Sequence, residues 1–426
     1  MKYSIIIFFL IFSSMLVLAQ EKTIPDTIDI RKLQERIEKL EAVVAEKKKE
    51  DELAKLLEEA EMLSEKQKSE EVDISKKFHT GVRQQQGLNP NMSVLGDFFG
   101  SVSTVNDEIT SEPGDRTDGS NGLFMRSLEL SFVAPLDPFT RGKAFLDISE
   151  DGIISIEEAY MEILNLPLNI SLKGGVFFPE FGLLNRHHTH ALPQFDRPRV
   201  CVNYFGLDGF NGMGAAVNIL LPRILFADAS SFDFSVININ DNFSYSSDKS
   251  VNIAYVGHWK NYYDISAASY FEYVISAIAG RNDEISETNT YIGNLGLHYK
   301  WQPPGTSKYK SFDWKTELYY GFNETPSGIV RSKGFYSLVH RKLNARYWIG
   351  GRIGYSEMPY DSDQHEWDYS VNFDFWQSEF VFYRIQYQYN SRNITYLPEI
   401  AGSYPSNHTV IIQFSWAMGP HKHEAY

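Results

Sequence analysis

The sequence has one cysteine in 426 residues. No internal disulfide can staple it, so its stability must come from packing and hydrogen bonding. It has no excess of basic charge either: the formal net charge is −15. Nucleic-acid binding needs a basic footprint and is excluded as a class. Beyond residue 18 no apolar run approaches the length of a membrane-spanning helix. Residues 28–77 contain no proline, glycine or aromatic side chain. No local signature marks a nucleophile with a base beside it, so no enzymatic activity is expected. What the sequence does have is a high aromatic load, 14% of residues including 25 Tyr.

The N-terminus reads as a secretory signal over residues 1–19: Lys2, an apolar run from Ile5 to Leu18, and Ala19 as a small residue at the cleavage site. A linker at 20–27 leads to a helical stretch at 28–77. There Ile30, Leu33, Ile37, Leu40 and Val44 keep the 3-4 spacing of a coiled coil. The phase slips across residues 47–51 and resumes at Leu53, Leu56, Ala60 and Leu63. A polar helix with one narrow apolar seam needs a partner, and copies of itself are the simplest one. A trimeric coiled-coil arm is expected, followed by a linker at 78–90.

From residue 91 to residue 418 the period changes to two. Val381, Tyr383, Ile385, Tyr387 and Tyr389 alternate with Phe382, Arg384, Gln386, Gln388 and Asn390. Tyr369, Val371, Phe373 and Phe375 alternate with Ser370, Asn372 and Asp374; Val410, Ile412, Phe414 and Trp416 with Thr409, Gln413 and Ser415. Strands with one greasy and one polar face, in a secreted chain, predict an all-β transmembrane barrel. Closure is required because every backbone polar group in lipid must be paired. Segment starts near 91, 122, 138, 153, 167, 210, 229, 249, 263, 288, 310, 330, 345, 365, 380 and 407 give about sixteen antiparallel strands, with fourteen or eighteen as alternatives. Short turns are expected at 135–138, 165–168, 261–264, 341–344 and 376–379. Long loops are expected at 106–122, 180–209, 281–289, 358–365 and 391–407. Short turns belong on the periplasmic side, which puts both the arm and the tail 419–426 in the periplasm, His421 and His423 included.

The polar faces supply candidate pore-lining residues: Arg141, Lys143, Asp147, Lys173, His258, Asp313, Lys315, Glu317, Arg346, Arg352, Asp374, Arg384 and Gln386. Both signs are present: paired, they would close the lumen; segregated, they would give ion selectivity. The segment 180–209, the third external loop by this count, is the candidate constriction. Its charged and polar members are Arg186, His187, His188, His190, Asp196, Arg197 and Arg199. His187, His188 and His190 are close enough in sequence for two imidazoles to share a metal. Asp196 could add oxygen and Cys201 sulfur, a mixture that suits zinc. The alternative is a polar loop wall, and the three arginines favour an anion over a cation. No other cofactor is expected.

Several stretches resemble a known family. They are Leu88–Phe98, Arg126–Ser131, Glu157–Tyr160, Gly175–Leu184 and the segment from His188-Thr-His-Ala191 to Asp196-Arg-Pro198. The chain resembles, over about residues 88–200, a group of bacterial outer-membrane barrels, some of whose members are labelled zinc-regulated TonB-dependent outer-membrane receptors. More distantly it resembles the phosphate-selective porin group, whose members place a coiled coil before the barrel. The receptor label implies zinc or metal-chelate uptake. The residues by themselves predict an outer-membrane porin passing small hydrophilic or ionic solutes, embedded in lipid as a homotrimer. The alternatives are an envelope-organising barrel with a periplasmic tether, and an outer-membrane zinc or metal uptake protein.

Overall fold

A computed structural model describes residues 90–104, 121–239, 242, 244–246, 252–283, 288–394 and 406–419. The signal, the first linker, the coiled-coil arm, the second linker up to residue 89 and all but the first residue of the tail lie outside these residues. The first strands are β1 (Asn91–Ser103), β2 (Gly122–Pro135), β3 (Thr140–Ile148), β4 (Ile154–Leu166) and β5 (Ile170–Phe177). After the longest connection come β6 (Gly212–Leu221), β7 (Ala229–Ile239), β8 (Ile253–Ser266), β9 (Ser269–Asp283) and β10 (Thr288–Trp301). The wall is completed by β11 (Ser311–Thr325), β12 (Gly328–Lys342), β13 (Tyr347–Met358), β14 (Asp361–Trp376), β15 (Val381–Asn393) and β16 (Asn407–Met418). Each strand pairs antiparallel with its sequence neighbours, and β1 pairs with β16, from Val94↔Met418 to Ser103↔Thr409. The barrel is closed, so no strand edge is left unpaired.

Alternation sets which face each side chain takes. On β15 Tyr383, Ile385 and Tyr387 are exposed while Arg384, Gln386, Gln388 and Asn390 are buried inside. On β14 Tyr369, Val371 and Phe373 point out and Ser370, Asn372 and Asp374 point in. An outer face carrying exposed Tyr255, Tyr291, Leu318, Tyr320, Phe322, Ile349 and Ile412 is unfavourable in water and suited to lipid. No helix is long and apolar enough to cross a membrane among the described residues.

Both ends of the barrel wall lie on one rim. The connections there are 136–139, 167–169, 222–228, 267–268, 302–310, 343–346 and 377–380. The opposite rim carries 104–121, 178–211, 240–252 and 394–406, together with four tighter connections. Two expected boundaries are corrected. Asn261–Asp264 is not a turn but the interior of β8, paired with β9 through Asn261↔Tyr273 and Asp264↔Tyr270, and the chain reverses at Ala267-Ala268. Residues 358–365 are not a long loop: only Pro359-Tyr360 turns, and the polar run from Asp361 to His365 is already strand. Polarity there reports water around a strand end, and ladder hydrogen bonds decide its backbone.

The interior is partly filled. The connection 178–211 turns inward instead of standing over the rim. Its Phe181, Leu184, Val200, Cys201, Tyr204, Phe205 and Phe210 pack against inward-facing Ile237, Val256, Ile278, Ile292, Tyr319, Tyr336 and Leu338 of β7–β12. Phe195 reaches across to Phe99 of β1 and Ile411 of β16, with ring centroids of Phe99 and Phe195 4.9 Å apart. Inward apolar residues in β7–β12 receive the loop.

Candidate functional site

The inserted loop is built from short pieces because its sequence cannot sustain a long regular element. Prolines at 179, 193 and 198 interrupt it, and a 3-10 turn spans Thr189–Ala191. Beyond Pro198 a two-turn helix, α1 (Arg199–Phe205), lies wholly buried against β12, β13 and β14 and stops at Gly206, whose φ of 93° suits glycine.

Hydrogen bonds tie the loop to strands around the ring. The Leu183 amide donates to Glu317 Oε1 at 2.8 Å, and Glu317 also accepts from Asn294, Tyr319 and Tyr336. Gly182 donates to Ser276 Oγ at 2.9 Å; its φ is +58° and an added Cβ would lie 2.1 Å from Glu317 Oε2. Tyr204 donates to Ser332, Asn203 to Glu366, and Gln194 exchanges hydrogen bonds with Ser370 and Asn372. Asp196 sits on Arg352, at 3.0 and 3.1 Å from one guanidinium nitrogen, and accepts from Gln386 and Gln388. Arg352 also donates to Asp368 at 2.6 Å and to the Asp196 carbonyl at 2.9 Å, so one buried guanidinium joins loop and wall. Arg384 pairs with Asp374 at 2.9 Å and reaches the Leu192 carbonyl.

Cavities lie on the two sides of this loop and share no lining residue. Toward the rim of the chain ends, two adjoining spaces of about 260 and about 230 Å³ are lined by Arg141, Lys143, Lys173, Arg186, Lys260, Lys300 and Lys315, with His187, His258 and His298. Their acids are Glu162, Glu180, Asp233, Glu272 and Asp313, fewer than the lysines and arginines. Toward the opposite rim, a cavity of about 370 Å³ is lined by Asp147, Glu157, Asp196 and Asp208 against Arg126 and Arg197. One mouth is acidic and the other vestibule basic.

Electrostatics fix the loop residues' charges. Burial raises Glu180, but Arg186 at 2.6 Å, with His258 and Lys173 nearby, overrides it and holds the carboxyl at about 2. Burial, helped by Lys315 and Arg197, holds His187 neutral, at about 3. His188 is buried too, yet Glu157, Glu129 and Glu158 around it raise it well above its ordinary value. Burial pushes the Cys201 thiol to about 12; its Sγ faces Tyr319 Oη at 3.4 Å.

The predicted residues separate into groups. Arg141, Lys143, Lys173, His258, Asp313 and Lys315 line the basic vestibule with Arg186 and His187. Glu317, Arg352, Arg384 and Gln386 bond to the loop, and Asp374 pairs with Arg384 behind it. Asp147, His190, Asp196 and Arg197 line the acidic mouth. Arg199 is buried at the start of α1. Arg346 is not on a strand face; it lies exposed in the turn 343–346, where no lumen is within its element. The three histidines do not converge. His188 and His190 meet Glu129 of β2, whereas His187 faces the vestibule, and neither Asp196 nor Cys201 joins them. Glu129, Glu157, Glu158, Arg126 and Asp208 escaped sequence reasoning. Two β-bulges explain part of this: the β1–β2 register skips Arg126 and the β3–β4 register skips Glu157. A bulge puts consecutive residues on one face, so Glu157 and Glu158 both turn inward. A charged pair in an otherwise alternating strand was the available signal.

No family model and no curated protein matches the sequence. Solved structures do match in fold. An anion-selective porin from Comamonas acidovorans aligns with TM-score 0.53 and 10% identity over 77% of this chain and 99% of that one. OprB of Pseudomonas putida, at high pH, aligns with 0.51 and 10% over 78% and 94%. The channel DcaP of Acinetobacter baumannii aligns with 0.51 and 11% over 78% and 97%. The ring of sixteen strands also differs from the 22-stranded, plugged barrel of energy-coupled transporters, so the receptor label finds no support in the fold. What this chain shares with its structural relatives is the closed porin-type barrel.

Proposed function

We propose that the protein is a passive channel of the bacterial outer membrane for small hydrophilic or ionic solutes, with the loop 178–211 as its constriction. The observation that carries this reading is the inserted loop: it divides the interior of a closed, lipid-suited barrel into two charged vestibules. The excess of lysine and arginine on the chain-end side favours anions at that point. That preference agrees with the anion-selective porin among the structural relatives. The rim bearing the longer loops would face outward and the rim of the chain ends the periplasm. Assembly as a homotrimer in lipid, through barrel and coiled-coil arm, belongs to the same proposal.

Planar-bilayer recording of the purified, folded protein tests it. Discrete conductance steps are expected, with a reversal potential in a salt gradient that shifts toward cation preference when Lys143, Lys173 and Lys315 are changed to glutamate. Absence of steps in the wild-type protein would overturn the channel. Unchanged reversal potential in the variants would overturn the anion preference alone.

A further inference from the structure

The junction of the loop with β2 and β4 contains a donor set that channel function does not require. His188 Nδ1 lies 3.0 Å from Glu129 Oε2 and 3.1 Å from Glu157 Oε2. His190 Nδ1 lies 3.4 Å from the same Glu129 oxygen, and donors of Glu129, His188 and His190 all fall within 4.8 Å of one another. Metal–ligand bonds of about 2.0–2.2 Å at tetrahedral angles put neighbouring donors about 3.3–3.6 Å apart. The spacings of 3.0, 3.1 and 3.4 Å are near the edges of such a tetrahedron, and the donors spread to within 4.8 Å would draw together around an ion.

Acceptors crowd around one imidazole ring. Nδ1 of His188 carries at most one hydrogen, yet two carboxylate oxygens stand within bonding distance of it. The carboxyl groups of Glu129 and Glu157 also contact each other. On the far side of the ring, His188 Nε2 meets Glu158 Oε2 at 3.1 Å. Three carboxylates therefore surround one imidazole, and Glu129 is 1% exposed. Carboxylates buried this close together are a setting that favours a bound cation. Arg197 is close enough to act on Glu157, but its hydrogen bonds go to the Leu184 and His187 carbonyls. The Glu158 contact has the geometry of a carboxylate that receives the outer N–H of a metal-bound imidazole, leaving Nδ1 free for the metal. Glu157 and His190 also line the acidic mouth cavity, which gives an ion a path from outside.

We propose that Glu129, His188 and His190, with Glu157 as the fourth donor, bind a divalent cation of the zinc class and fasten the inserted loop to β2 and β4. Two imidazole nitrogens with carboxylate oxygens suit zinc better than magnesium or calcium, which take six or more oxygens. The β4 bulge is part of the site, since without it Glu157 would face lipid. The site stands apart from the conducting role and is tested without it.

The full-length protein, folded in detergent and stripped with chelator, is titrated with Zn²⁺ by calorimetry and with Co²⁺ by visible absorption. Saturable binding of one equivalent per chain, and the intense visible bands of four-coordinate cobalt, are expected in the wild type. Glu129→Gln and His190→Ala should each weaken that equivalent by at least about 100-fold, and Glu158→Gln by about 10-fold. His187→Ala should leave it unchanged. Any zinc held by His421 and His423 persists in Glu129→Gln and is thereby distinguished. No saturable zinc in the wild type, or wild-type affinity in both Glu129→Gln and His190→Ala, or loss of the site in His187→Ala, would overturn the assignment. The wild-type titration needs no variant to fold, and channel recordings on the same sample report separately on conduction.

Discussion

The single cysteine makes the inserted loop measurable. Cys201 lies in α1, 5% exposed, with its thiol pushed up to about 12 by burial. While the loop is in place, neither access nor thiolate is available to an alkylating reagent; release restores an ordinary thiol. The perturbation to apply is Arg352→Met, which keeps the bulk and removes the charge. Arg352 is the only guanidinium bonded to both Asp196 of the loop and Asp368 of β14 among the described ion pairs. Without it two buried carboxylates lose the guanidinium bonded to both, although Arg199 stays near them and Asp196 keeps Gln386 and Gln388. Removing one partner of a buried ion pair costs about 3–5 kcal/mol, and each 1.4 kcal/mol is about a decade in population. Alkylation of Cys201 in the folded barrel should therefore accelerate by about two to four decades. Arg352→Lys, which keeps the charge but not the fork, should fall between the two. Folded protein is verified by its heat-modifiable migration in the same samples. An unchanged alkylation rate in Arg352→Met, with the barrel intact, would refute the view that this ion triad holds the loop.

Three further outcomes follow from the same geometry. Gly182→Ala adds a Cβ 2.1 Å from Glu317 Oε2 at a φ of +58°, and should destabilise the inserted loop by about 1–3 kcal/mol, read as faster Cys201 alkylation and larger conductance steps. His187 is held neutral at about 3 in the inserted loop, and release returns it to its ordinary value of 6.5. Between those values the released loop binds the extra proton, so insertion weakens as pH falls from 6.5 toward 3, by up to about 1.4 kcal/mol per unit, and is unaffected above 6.5. His187→Gln should remove that part of the slope in a comparison of alkylation rates across pH. Ile412, exposed on the outer face of β16, should tolerate arginine poorly: folding into bilayers is expected to lose up to about 2–4 kcal/mol, and less if the position lies near an interface, by urea titration in vesicles.

Much of the wall was legible in the sequence because its cause is local. Tyr383, Ile385 and Tyr387 meet lipid while Arg384, Gln386 and Gln388 meet the interior, and a strand's period of two writes that contrast directly into the chain. The exceptional loop was legible as well, since residues 178–211 are long, broken by proline and without alternation. Legibility ended where backbone pairing overrode composition. Asp361–His365 is polar yet strand, and Asn261–Asp264 has turn-like residues inside β8. Arg346 has the right chemistry for a pore and lies in a turn.

Sequence by itself determined that this chain is a closed barrel with a polar inside, a greasy outside and one exceptional loop. Each of those properties follows from neighbours a few residues apart. Only the tertiary structure decided what meets within the barrel. Asp196 and Arg352 are 156 positions apart, and His188 and Glu129 are 59 apart. Their meeting depends on the loop's path and on ladder register. One skipped residue in β4 turned Glu157 from the lipid face to the interior. Three neighbouring histidines suggested a site in the sequence; in the fold His187 faces one vestibule while His188 and His190 join a glutamate from another strand. Register and loop path are long-range properties, set by the packing of the whole ring, and no local pattern encodes them.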